Sequence, residues 1–198
     1  MALVGLLGGT FDPIHYGHLI AAEAARNALG LDRIEIVPTN NPPHKGDEVI
    51  TPAADRVAMI EAAIDGTDGY SVNLCEVRRP GRSYTVETLE LLTAERPNDD
   101  HVFIIGSDSL RDLPTWKSPG RILELARLAV LARPGVTYDL AHLEAVLPGL
   151  TARCSHVDAP LIDISSTKLR DMVRQRDSVR FQMPDPVIEY IRQSGIYR

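Results

Sequence analysis

The sequence predicts an α/β fold in which residues 1–198 form one domain around a doubly wound parallel sheet with helices on both faces. Three observations carry this. Short apolar runs alternate with helix-period patterns along almost the whole chain, the signature of βαβ units. A glycine pair, Gly8-Gly9, stands where the first apolar run gives way to the first helical pattern, so the backbone there can approach a ligand closely. Polar, phosphate-compatible stretches follow several of the apolar runs. In a doubly wound sheet the loops beyond the carboxyl ends of the strands hold the ligand.

In chain order, Leu3 to Leu7 reads as a buried strand. Asp12-Pro13 then reads as an N-cap followed by a first-turn proline, so a helix is expected from there into the alanine-rich segment ending at Leu29. His15 and His18 fall three apart on one face of that helix, and His18 shares its face with Ala22 and Ala25, opposite a wet side of Tyr16, Glu23, Arg26 and Asn27. Together these features imply an anion site at a helix N-terminus. Ile34 to Val37 reads as a second strand, and Thr51-Pro52 repeats the cap-then-proline signal ahead of a stripe of Val57, Ile60 and Ile64. Tyr70, Val72 and Leu74 alternate with polar residues, as in a half-exposed strand. A helix over 85–94, a buried strand over 101–105, a helix opened by Ser118-Pro119 and a strand over 128–131 follow. The stretch 137–150 reads as one short helix with loops; a strand over 154–157 and helices after Ser166 and Asp185-Pro186 complete the chain.

Composition excludes several classes. A net charge of -6 argues against a nucleic-acid coat or a binder of anionic membranes, so a phosphate ligand must be held by a few placed groups. The two cysteines, Cys75 and Cys154, lie far apart without ligand spacing, which favours reduced thiols in a cytoplasmic protein over a disulfide frame or zinc site. No apolar run approaches membrane-spanning length. There is no Gly-x-x-x-x-Gly-Lys-Ser/Thr loop, no Gly-x-Gly-x-x-Gly after the first strand and no Gly-x-Ser-x-Gly elbow, which disfavours P-loop NTPases, dinucleotide dehydrogenases and acyl-transfer hydrolases. A zinc site at the histidines lacks a His-Glu-x-x-His pattern.

Near the end, Ser165-Ser166-Thr167-Lys168-Leu169-Arg170 opens a helix with two cations in or near its first turns. That placement opposes the helix dipole by roughly 0.3–1 kcal/mol each at an exposed site. A bound polyphosphate would turn the conflict into attraction.

Gly8-Gly9-Thr10-Phe11-Asp12-Pro13-Ile14-His15-Tyr16-Gly17-His18 resembles the T/HxGH signature of the nucleotidyltransferase superfamily, and Ile164-Ser165-Ser166-Thr167 with Arg170 resembles its second ATP-binding motif. Pro42-Pro43-His44-Lys45, Ser83-Tyr84-Thr85, Gly106-Ser107-Asp108-Ser109-Leu110 with Trp116, Met183-Pro184 and Gly195-Ile196-Tyr197 follow the order of bacterial nicotinate-nucleotide adenylyltransferases. One departure is Asp177 before Ser178, where that family usually has glycine. The resemblance implies ATP and nicotinate mononucleotide as substrates and Mg²⁺ bound mainly through the ATP phosphates. It implies ATP contacts from Gly8, Gly9, Thr10, Phe11, His15, His18, Gly106, Ser165, Ser166, Thr167 and Arg170, with His15, His18 and Arg170 catalytic. It implies acceptor contacts from His44, Lys45, Tyr84, Thr85, Asp108 and Trp116. No nucleic-acid or membrane partner is expected, and the oligomeric state, including a homo-oligomer, stays open. A sister transferase acting on phosphopantetheine or a cytidylyl acceptor and a non-catalytic nucleotide sensor stand as alternatives.

Overall fold

The computed structural model describes residues 1–41, 50–132, 135–160 and 162–198. Its first half runs β1 (Leu3–Gly9), α1 (Tyr16–Leu29), β2 (Arg33–Pro38), α2 (Ala53–Ile64), β3 (Tyr70–Val72), α3 (Cys75–Arg78), α4 (Thr85–Glu95) and β4 (Asp100–Gly106). The second half runs α5 (Ser107–Asp112), α6 (Pro119–Leu125), β5 (Ala126–Leu131), α7 (Leu140–Val146), α8 (Leu150–Arg153), β6 (Cys154–Val157), α9 (Ser166–Gln175) and α10 (Asp185–Ser194).

The strands form one six-stranded sheet in the order β3-β2-β1-β4-β5-β6, and every pairing is parallel. Chain direction through the sheet reverses between β1 and β4, the place where such folds open a crevice for ligands. Strands buried on both faces read as near-continuous apolar runs, which makes them legible. Alternate residues serve two cores. Leu7, Ile34, Ile36, Val102 and Ile104 pack in one cluster with Ala22, Ile60, Leu169 and Ile191, residues of α1, α2, α9 and α10. Val4, Leu6, Val37, Phe103 and Ile105 pack in the other with Leu89, Leu110 and Ile122, residues of α4, α5 and α6.

Several local expectations shift. The buried stripe of α2 is Arg56, Met59, Ile60 and Ile64, not one containing Val57. Arg56 is 1% exposed, with Nε donating to Thr51 O at 2.9 Å and Nη1 to Thr10 O at 2.8 Å. Burial pushes its guanidinium pKa down. Leu74 belongs to no strand, because Asn73 Oδ1 accepts from Cys75 N at 3.0 Å and starts α3 instead. Residues after Gly106 form α5 rather than a loop, and the stretch after Thr137 holds α7 and α8. Cys75 and Cys154 are free thiols, both pushed up to about 11 by burial.

Candidate active site

β1 delivers Gly8 and Gly9 to the carboxyl edge of the sheet, where Gly8 pairs with Val37 and the preceding Leu7 with Ile104. Both glycines answer to crowding. A Cβ at Gly8 would stand 3.2 Å from Phe103 Cζ, and one at Gly9 would stand 2.9 Å from Phe11 Cζ. Phe11 turns the chain through φ 51° with its ring buried.

The expected cap at Asp12 does not form. The Asp12-Pro13 bond is cis, and the Asp12 carboxylate accepts from Thr51 N at 3.2 Å and from the Tyr197 hydroxyl. Those tertiary partners prevail over a local cap, and α1 begins at Tyr16 with His15 as its N-cap. His15 N–H donates to His18 Nδ1 at 3.3 Å, and the two rings stack at 3.7 Å between centroids, 22° apart. The edge of Phe11 meets the His18 ring at 5.0 Å. His15 is buried beneath a half-buried His18. A neutral imidazole that accepts at Nδ1 carries its proton at Nε2, so His18 is set as a donor.

Two first-turn amides of α1 bond within the chain: Tyr16 N donates to Gln182 O and His18 N to His15 O, each at 3.0 Å.

The second motif docks onto the first. Ser165 is the N-cap position of α9. Ser166 Oγ donates to Pro13 O at 2.9 Å, Arg170 Nη1 donates to Asp12 O at 2.7 Å, and Arg170 Nη2 reaches Thr167 Oγ1 at 3.4 Å. Ile164 abuts Gly17, its Cβ lying 3.8 Å from where a Gly17 Cβ would sit. Lys168, expected to oppose the helix dipole, is partnered by Asp163 at 3.2 Å on the surface. Arg170 is buried beneath the first loop.

On the other side of the switch point, Gly106 ends β4 and precedes α5, whose first turn holds the half-buried Asp108. Trp116 packs edge-on against Phe103 at 6.3 Å, the same ring that underlies Gly8. Its neighbour Lys117 sets Nζ 4.6 Å from the centre of the Tyr84 ring and 2.6 Å from Glu87 Oε1. Tyr84 is the N-cap of α4 and Thr85 its first residue. Tyr84, Thr85 and Trp116, remote in sequence, thus come together. His44 and Lys45 lie outside the described residues. The supporting residues Arg56, Asp12 and Tyr197 escape sequence reasoning in these roles. A buried arginine breaks an apolar stripe instead of marking it, and nothing local signals a bond between residues 12 and 197.

Among the described residues no group of three or more His, Cys, Asp or Glu side chains could hold a metal ion. Asp12, the carboxylate within the motif, accepts from Thr51 N and the Tyr197 hydroxyl.

A parallel 3-2-1-4-5-6 sheet, with stacked histidines beside its switch point and a hydroxyl-rich helix start docked against them, defines a nucleotidyltransferase. Residues 6–172 match the cytidylyltransferase-like family model. The chain is 45% identical over 198 residues to the probable nicotinate-nucleotide adenylyltransferase of Thermomicrobium roseum, covering 100% of this chain and 92% of that one. It is 46% identical over 194 residues to the protein of the same name from Roseiflexus castenholzii, covering 98% and 97%. The chain belongs to the nicotinate-nucleotide adenylyltransferase family. Among solved structures it resembles the Plasmodium falciparum nicotinic acid mononucleotide adenylyltransferase complexed with NaAD, at a TM-score of 0.80 and 19% identity, covering 100% of this chain and 98% of that one. At that identity the likeness speaks for the fold.

Proposed function

We propose that this chain, acting as one domain over residues 1–198, transfers the adenylyl group of ATP to nicotinate mononucleotide. The products are nicotinate adenine dinucleotide and pyrophosphate, a step in NAD biosynthesis. The observation that carries the reading is the docking of the two motifs. The His15–His18 stack and the Ser165–Arg170 helix start meet through Ser166 on Pro13 and Arg170 on Asp12.

The nucleophile is a phosphate monoester, whose second pKa is about 6. It is largely deprotonated at neutral pH, so the site needs no general base. Its work is to position two anions and to stabilise charge while the α-phosphate is displaced in line. His18 donates through Nε2 near the reacting phosphate, and His15 supports it by stacking and by its N–H to Nδ1. Thr10, with the Gly8-Gly9-Phe11 turn and Gly106, lines the nucleotide side. Ser165, Ser166, Thr167 and Arg170 receive the departing β- and γ-phosphates. Tyr84, Thr85, Asp108 and Trp116, with His44 and Lys45, form the acceptor side.

Enzymes of this family generally use a divalent metal. We take the ion as Mg²⁺ carried on the ATP phosphates, where it would neutralise their charge. No helix among the described residues is long and apolar enough to cross a membrane, and a cytoplasmic setting suits the free thiols.

The direct test supplies ATP, Mg²⁺ and nicotinate mononucleotide and follows dinucleotide and pyrophosphate together. Equimolar formation of both is expected. Turnover only with phosphopantetheine or a cytidylyl acceptor, or ATP binding without any turnover, would overturn the reading. Replacing His18 by Ala should lower turnover roughly 10²–10³-fold, the worth of one placed oxyanion donor, with a smaller loss in ATP binding. Near-normal turnover would remove His18 from its assigned role. Paired kinetics with nicotinate and nicotinamide mononucleotides measure the base preference.

A further inference from the structure

We propose that Glu76 is a positioning residue for the mononucleotide side of the site, holding the start of α4 in register with the end of β2. The inference rests on the reading above that the acceptor is bound around Tyr84 and Thr85. Glu76 lies on the short helix α3, belongs to none of the motifs, and is 6% exposed. Its Oε1 accepts from Thr88 Oγ1 at 2.6 Å, one turn into α4. The Thr88 hydroxyl in turn accepts from Arg79 Nη2 at 3.3 Å. Oε2 is sealed from solvent without a hydrogen-bond partner of its own. Burial raises the Glu76 pKa against the opposing influence of Thr88, Ser83 and Arg79, which stand around the carboxyl.

Ser83 completes the link. Its N–H donates to Asn41 O at 3.0 Å, its Oγ accepts from Asn40 N at 3.1 Å, and Asn40 Nδ2 donates to Arg79 O at 3.2 Å. One residue earlier, Thr39 N donates to Gly9 O at 2.9 Å. A continuous set of bonds therefore runs from the glycine turn of the nucleotide side, through residues 39–41, to the residue immediately before Tyr84. Glu76 is the buried group that receives the Thr88 hydroxyl beside Arg79, whose carbonyl takes the bond from Asn40. An apolar side chain of similar size would fill the space at a lower desolvation cost, yet it would leave the Thr88 hydroxyl only its longer bond to Tyr84 O at 3.3 Å and remove the tie between α3 and α4. Glu76 touches no reacting atom. Its effect should appear in acceptor affinity, through the orientation of the α4 start.

The test compares Glu76→Leu and Glu76→Gln with wild type, measuring KM for each substrate, kcat, melting temperature and equilibrium binding of nicotinate mononucleotide by calorimetry. Glu76→Leu should raise the mononucleotide KM and Kd about tenfold, the equivalent of one lost hydrogen bond's worth of orientation. The KM for ATP should stay within about twofold and kcat within about threefold on the same grounds. Glu76→Gln keeps an acceptor for Thr88, so it should restore near-wild-type values. An unchanged mononucleotide KM in a folded Glu76→Leu protein, or equal rises in both KM values, overturns the proposal. Should Glu76→Leu fail to fold, Thr88→Val, which removes the hydroxyl that Glu76 receives, carries the same test; a selective rise in mononucleotide KM supports the link and no rise overturns it. Wild-type protein inert toward nicotinate mononucleotide would instead overturn the functional reading and this inference with it. An active wild type with an unaffected Glu76→Leu variant removes Glu76 alone.

Discussion

At position 17 it is space, not backbone angle, that calls for glycine. A Cβ there would sit 3.0 Å from both Cε1 and Nδ1 of His15, closer than nearly all real contacts of that kind. The His15 ring would have to leave its stack on His18, and the bond from His15 N–H that fixes the His18 proton at Nε2 would be disturbed with it. Gly17→Ala should therefore cut kcat by about 10- to 100-fold, equivalent to about 1.4–2.7 kcal/mol of transition-state stabilisation. Thermal stability should change little, since alanine favours a helix over glycine. Turnover and a melting curve on one preparation check both halves. Full activity in the Gly17→Ala enzyme would mean that the stack is dispensable.

Helix α1 shows how far local signals reach. Its alanine-rich body, its buried Ala22 and Ala25 and its end at Gly30 (φ 62°) follow from composition and periodicity, as do the strands, whose apolar runs are dictated by burial on both faces. Its start departs from expectation because capping preference is a local statistic, whereas Asp12 is held by Thr51 and Tyr197, 39 and 185 residues away. The stripe of α2 shifts for a related reason: Arg56 is core, yet periodicity counts it as solvent-facing. The motif residues themselves are legible because ligand chemistry limits residue type at a strand end. The residues that hold them are not, since any of many side chains elsewhere can supply a hydrogen bond. Tyr197→Phe isolates such a contribution. Asp12 is 3% exposed, and loss of a donor to a buried carboxylate should cost about 1.5–3 kcal/mol, read as a lower urea midpoint. Turnover should fall as well, because Asp12 also presents the carbonyl that receives Arg170.

For the molecule as a whole, acid stability is governed at the α4 side of the sheet. Glu35 on β2 is 4% exposed. Burial alone would raise its pKa, but hydrogen bonds from Arg96, Asn73 and Arg33 prevail and hold it at about 2. Nearby His101 on β4 is buried with neither ring nitrogen hydrogen-bonded. Burial, helped by Arg96 and Arg33 against Asp99 and Glu35, lowers its pKa from 6.5. For both groups the unfolded chain takes up the proton first, so stability rises with pH across each interval. The His101 contribution is complete above pH 6.5 and drains away below it; that of Glu35 is complete above 4.5 and is lost toward pH 2. Unfolding free energy should thus fall between about pH 7 and 5, by at most about 1.4 kcal/mol per pH unit from one proton. His101→Leu should flatten that interval while leaving the steeper loss below pH 4.5; urea titrations at a series of pH values decide it. The bond between Tyr197 and Asp12 adds a consequence in time. On the ribosome the histidine motif emerges well before the hydroxyl that steadies it, which follows 185 residues after Asp12. The switch-point edge is therefore finished after the sheet that carries it, and a chain cut short before residue 197 would own both histidines and the Ser165–Arg170 helix start yet lack the tether that sets Asp12 in place.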